Sequence, residues 1–207
     1  AEFSPASSNE GMPFALRAWT RVAGDVSGAE GPEDILPHLE IVVGRQDTTT
    51  GFWEIPEQLT NNGVADHSPR PLSFGMHSGV VWIQNEAGDS PGNSVNGDKL
   101  MFAEQVSSVW LAPQVLWEEK KGILDFSVVK DMAGQAHVLF VVDDDGDVET
   151  TTDRELIHLA ADGGVWQMPE LLFSGGGDVE LPLLLAPQGA AMAVWKTTDT
   201  LFYSPLT

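Results

Sequence analysis

Short apolar runs, each closed by a polar turn, recur along the whole chain, as where Gly79-Val80-Val81-Trp82-Ile83 leads to Glu86-Ala87-Gly88-Asp89. Few windows carry apolar residues at i, i+3 and i+4 without interruption, and 13 Pro and 21 Gly are scattered throughout. This pattern predicts strands joined by hairpins rather than long helices. Three copies of a Trp-x-x-Pro-x-x-Leu motif punctuate it: Trp53 to Leu59, Trp110 to Leu116 and Trp166 to Leu172. The tryptophans lie 57 and 56 residues apart, which marks an internal repeat.

The register extends upstream of the motif. A shift of 58 carries Gly79-Val80-Val81-Trp82-Ile83 onto His137-Val138-Leu139-Phe140-Val141, and Gly88-Asp89 onto Gly146-Asp147. A shift of 64 carries Ala87-Gly88-Asp89 back onto Ala23-Gly24-Asp25, and Asp98-Lys99-Leu100 onto Asp34-Ile35-Leu36. Trp19 then falls one residue out of step with Trp82, as a β-bulge would leave it.

Each repeat therefore reads as four strands, A to D. In the second, A is expected near 70–74, B at 79–85, C at 99–105 and D at 109–116. In the third they fall near 125–130, 136–143, 155–160 and 165–173. The fourth offers only A, B and C, near 180–185, 191–196 and 201–204. The expected fold class is all-β: a propeller-like array of four-stranded antiparallel blades, three full and a fourth incomplete. The blades fall at about 4–64, 65–122, 123–177 and 178–207 of one propeller. A β-sandwich is the alternative, although a sandwich has no need of repeated Trp motifs. Trp19, Trp82, Phe140 and Trp195 share a strand-B position and are expected to pack blade against blade. Trp53, Trp110 and Trp166 open the outermost strand D, where Pro withholds the N–H that an added strand would need.

Composition then narrows the function. With 31 acidic against 10 basic residues, the net charge of −21 repels nucleic-acid phosphates and anionic lipid heads, so nucleic acid is excluded as a partner. No apolar run is long enough to span a bilayer, so membrane insertion is not expected. The acidic balance favours an extracytoplasmic or secreted setting. Zero Cys removes disulfides, thiolate chemistry and cysteine zinc sites.

The candidate chemistry lies in the long B–C loops, 86–98 and 143–154, with a first-repeat counterpart at 25–34. In the densest run, Asp143, Asp145 and Asp147 alternate and offer oxygen ligands to a hard cation such as Ca²⁺. Gly146 precedes the third Asp, out of EF-hand order, so a solvated hairpin turn is the competing reading. Paired loop carboxylates also suit glycosidase acid–base chemistry. His38, His67, His77, His137 and His158 show no metal-ligand spacing; His137 and His158 read as hydrogen-bonded residues of strands B and C.

The run Asp162-Gly163-Gly164-Val165-Trp166, together with Gly51-Phe52-Trp53 and Val109-Trp110, resembles the Asp-box repeats of sialidase-like β-propellers. That resemblance implies a propeller fold and carries over no activity. It also implies three arginines that clamp a sugar carboxylate, a Tyr nucleophile with a Glu beside it and an Asp acid, and the chain does not match that set: it has no Phe/Tyr-Arg-Ile-Pro segment, and its one Tyr, Tyr203, sits in a predicted strand C. No catalytic residue is therefore assigned. The leading expectation is a non-catalytic module for binding or assembly that takes a glycan or protein through its acidic loops. A protein partner or a second copy is expected to complete the open propeller. The alternatives are part of a glycoside hydrolase or lyase whose catalytic residues lie on another chain or segment, and a calcium-stabilised scaffold.

Overall fold

The computed structural model describes residues 14–74, 77–147, 149–150, 152–174, 178–186 and 189–206. The chain has the expected fold class: it is all-β, with four antiparallel sheets of three to five strands, one for each repeat. Two compact units divide it, one of Ala1–Ser90 with Lys99–Leu116 and the other of Pro91–Asp98 with Trp117–Thr207.

The first unit carries the first two sheets. β1 (Phe14–Val22), β2 (Leu39–Asp47) and β3 (Glu57–Gln58) form the first, in that order. The strand A expected for the first repeat lies outside the described residues. The long first loop holds a single helical turn, α1 (Pro32–Ile35), opened by a proline in its first turn where a missing N–H costs nothing. The second sheet orders β4 (Ala65–Phe74), β5 (His77–Asn85), β6 (Lys99–Val106) and β7 (Val109–Trp110), with β8 (Gln114–Glu118) also paired to β6. β4 begins earlier than the predicted strand A because the ladder shifts between His67 and Arg70, and the shift absorbs Pro69 and the left-handed Ser68 (φ 54). Leu16, Ala18, Ile41 and Val43 from the first sheet and Val80, Trp82, Met101 and Ala103 from the second share one core.

The second unit carries the third and fourth sheets. The third orders β9 (Gly122–Lys130), β10 (Ala136–Asp143), β11 (Glu155–Asp162) and β12 (Val165–Trp166), with β13 (Glu170–Ser174) also paired to β11. The fourth orders β14 (Val179–Leu185), β15 (Met192–Thr197) and β16 (Thr200–Pro205), and has no strand D among the described residues. β10 is buried at every position, as its unbroken apolar run required. Leu139, Val141 and Leu156 pack against Val179, Leu184, Ala193 and Trp195 in the core of this unit. Each fully buried side chain of this size contributes roughly 1.5–3 kcal/mol.

The strand-B aromatics behave as expected at three positions: Trp82, Phe140 and Trp195 are buried, while Trp19 is half-buried. The Trp motif opens the outermost strand as expected, and only its proline differs from expectation. In all three copies the Trp pairs with strand C (Gln46 with Trp53, Gln105 with Trp110, Ala161 with Trp166), and the next amide donates to strand C as well. Those donors are Glu54, Leu111 and Gln167, at 2.8 Å each. Pairing then lapses across Pro56, Pro113 and Pro169 before strand D resumes. The prolines therefore sit where their own ladder is interrupted, and the missing N–H breaks no bond with strand C.

Candidate functional site

In the second unit the turn after β10 is built from its own carboxylates. Asp143 Oδ1 accepts the Gly146 amide at 2.7 Å, Asp145 Oδ1 accepts Asp147 at 2.8 Å, and Asp147 Oδ1 accepts Glu149 at 3.0 Å. Gly146 takes φ 78, a conformation suited to glycine. Lys121 anchors the base of the loop, with Nζ 2.6 Å from Glu155 Oε2 and 3.4 Å from Asp144 Oδ1. The chain returns through Asp153 and Arg154 to β11.

Of the three aspartates named as cation ligands, Asp143 and Asp145 come together and Asp147 does not join them. Asp153 takes the third place: Asp143, Asp145 and Asp153 each present one oxygen within 4.8 Å of the others. Asp147 is exposed and holds the turn. The Asp143 carboxyl is pushed above the usual carboxylate range, first by burial and then by the charges of Asp153 and Asp145, against the opposing pull of the Gly146 amide and Arg154.

Arg154 is 7% exposed and stands among carboxylates from two sheets. Its Nη1 lies 2.5 Å from Asp178 Oδ1 and 3.9 Å from Glu180 Oε1, and its Nε lies 3.6 Å from Asp143 Oδ2. Beside it opens a cavity of about 240 Å³. Leu124 and Asp125 of β9, Val141 of β10, and residues 179–182 of β14 form the rest of its wall. Leu181 at its rim is held at φ 53, inside the stretch where β14 loses register with β15. A leucine in the left-handed region is strained, and such strain gathers at functional sites. A larger hollow of about 360 Å³, in the first unit, is lined by residues 29–32, Ile35 and Leu36 and brings no comparable set of charged groups together.

Asp125, Arg154, Asp178 and Glu180 were not singled out from sequence. One signal did exist. The pairs Ile83 with Leu100 and Val141 with Leu156 are equivalent in the repeat, so Arg154 stands where the second repeat has Asp98.

A second polar group lies on the third sheet. His137 and His158 stack with centroids 5.3 Å apart, and His137 Nδ1 is 3.1 Å from His158 Nε2. His137 Nε2 points at Asp131 Oδ2, 3.7 Å away, and His158 Nδ1 is 3.9 Å from Glu170 Oε2. The contacts are best satisfied when His158 Nε2–H donates to His137 Nδ1 and the His137 Nε2–H faces Asp131. Burial lowers both imidazoles, and His158, pressed further by His137, is pushed down to about 4.

No family model matches the sequence, and no curated protein matches it. Solved structures do share its fold. An endo-arabinase from Bacteroides thetaiotaomicron VPI-5482 superposes with TM-score 0.54 at 10% identity, over 98% of this chain and 73% of its own. A PL25 ulvan lyase gives 0.53 at 10% identity, over 95% of this chain and 45% of its own. The polysaccharide lyase Uly1 gives 0.56 at 9% identity, over 99% and 48%. The chain thus spans less than half the length of the two lyases. The expectation of a non-catalytic chain is corrected here, because the fold is one that glycan-processing enzymes use. Among the described residues no helix is long and apolar enough to cross a membrane.

Proposed function

We propose that this chain belongs to an extracytoplasmic glycan-processing enzyme that hydrolyses a neutral polysaccharide, with the Arg154 cavity as a sugar subsite. The observation that carries the reading is the cavity itself, where Asp125 and Glu180 stand with a buried, carboxylate-bound arginine. Two carboxylates flanking one bond are the working set for glycoside hydrolysis. Charge favours hydrolysis over elimination: a lyase must hold a uronate, and the wall of this cavity and the chain as a whole are acidic. The fold, shared with an endo-arabinase and with two polysaccharide lyases, supports a glycan substrate, and the acidity of the cavity favours a neutral one.

The test is a panel of neutral polysaccharides, arabinan included, beside uronate-containing ones. Release of reducing ends from a neutral chain, lost in Asp125→Asn and in Glu180→Gln, is the expected result. Cleavage only of uronate chains, seen as the absorbance of an unsaturated product, would overturn the reading, as would cleavage untouched by either substitution.

A further inference from the structure

We propose that Asp143, Asp145 and Asp153 form a calcium-binding site at the foot of the β10–β11 loop. Their three oxygens lie within 4.8 Å of one another. Ca²⁺ bonds oxygen at about 2.3–2.6 Å, so opposite ligands stand up to about 5 Å apart, and one ion reaches all three.

The cluster is marked out from ordinary surface acidity by two buried oxygens. Asp143 is 0% exposed, and while its Oδ1 accepts the Gly146 amide, its buried Oδ2 meets no hydrogen-bond donor. Arg154 Nε, at 3.6 Å, is too far to donate, and that guanidinium is bonded to Asp178. Asp153 Oδ1 is likewise buried without a donor. Carboxylate oxygens removed from water without donors are costly, and three like charges in this space add repulsion. A divalent cation relieves both costs at once. The all-carboxylate set selects a hard ion, and Mg²⁺, which gives up its water shell reluctantly, fits such a cage less well than Ca²⁺.

The site concerns loop order and stands apart from the glycan reading, so each can fail alone. Protein stripped with EDTA is titrated with CaCl₂ by calorimetry and by thermal melting. At a hundredfold excess over Kd the melting temperature is expected to rise by about 5 °C or more. The rise is expected to persist in Asp147→Asn and to vanish in Asp145→Asn and Asp153→Asn. Asp153→Asn is the decisive variant, since Asp143→Asn also loosens Arg154. No heat and no shift at about 10 mM Ca²⁺, well above the weak range of extracellular calcium modules, would overturn the proposal. So would a shift that survives Asp153→Asn, or an equal response to Mg²⁺.

Discussion

Asp98 Oδ2 accepts the amide of Ile123 at 2.7 Å, and by that bond the residue entering strand C of the second repeat holds the entry to strand A of the third. The same oxygen accepts the Gly92 amide at 2.9 Å, so one carboxylate also closes its own B–C loop. Two other repeats use the same clasp with different chemistry. Glu40 accepts the Asn62 amide at 3.2 Å ahead of β4, and Arg154 reaches Asp178 ahead of β14.

The clasp predicts a large cost for a small change. Asp98→Ala leaves the Ile123 and Gly92 amides buried without an acceptor, and each such group costs about 1–3 kcal/mol. Urea denaturation is expected to show a loss of about 2–5 kcal/mol. A loss near zero would mean that water replaces the carboxylate and that the clasp is incidental.

Arg154 is expected to be sensitive as well. Arg154→Met strands the Asp178 carboxylate, and because Asp178 keeps about a quarter of its side chain exposed, the expected cost is about 1–3 kcal/mol, below that of a fully buried pair. Asp178→Asn introduced together with Arg154→Met is expected to cost less than the sum of the single changes. Additive losses in that double-mutant cycle would show that the two side chains do not interact.

The β6–β7 hairpin carries correctable strain. Ser107 and Ser108 are both left-handed, at φ 50 and 67, whereas the matching β11–β12 turn uses Gly163 and Gly164. Two-residue hairpins with both φ positive favour Asn-Gly. Ser107→Asn with Ser108→Gly is expected to raise stability by about 1 kcal/mol, read as a higher urea midpoint at unchanged slope. An unchanged or lower midpoint would refute the strain argument.

The histidine pair predicts a pH dependence of definite sign. Unfolded, His158 takes up a proton near pH 6.5, but in the folded chain it resists until about pH 4. Between those values the unfolded state binds more protons, so stability is full above the window and falls as pH drops through it, by on the order of 3 kcal/mol for His158. Asp131, the carboxylate facing His137, moderates the fall. Asp66 and Asp143, with raised values, contribute the opposite slope at the acid end. The informative measurement is therefore the difference between wild type and His158→Gln, with denaturation followed from pH 7 to pH 4. The variant is expected to lose less stability on acidification; parallel curves would remove His158 as the cause.

The strands of the second, third and fourth repeats and their order were legible in the chain because side-chain alternation and turn residues act over a few positions, and Trp53, Trp110 and Trp166 copy the register. In the first repeat the shift of 64 put the start of strand C at Ile35, but the chain is still helical there and β2 begins at Leu39. β10 shows how far this goes: its bounds at Ala136 and Asp143 follow directly from an apolar run closed by an acidic turn. The motif prolines show its limit, since whether Pro113 guards an outer edge or fills a gap in its own ladder depends on how strand D lies against β6.

The candidate site was decided by tertiary structure almost entirely. Sequence spacing grouped Asp143 and Asp145 with Asp147, whereas the turn of the loop sends Asp147 outward and brings Asp153 in. Arg154 meets Asp178 and Glu180 only because the third and fourth sheets pack, and His137 meets His158 only because β10 and β11 pair with Leu139 opposite His158. Local pattern fixes which residues point into a sheet. Which charges then share one cavity is set by contacts between residues far apart in the chain, and short-range pattern carries no record of them.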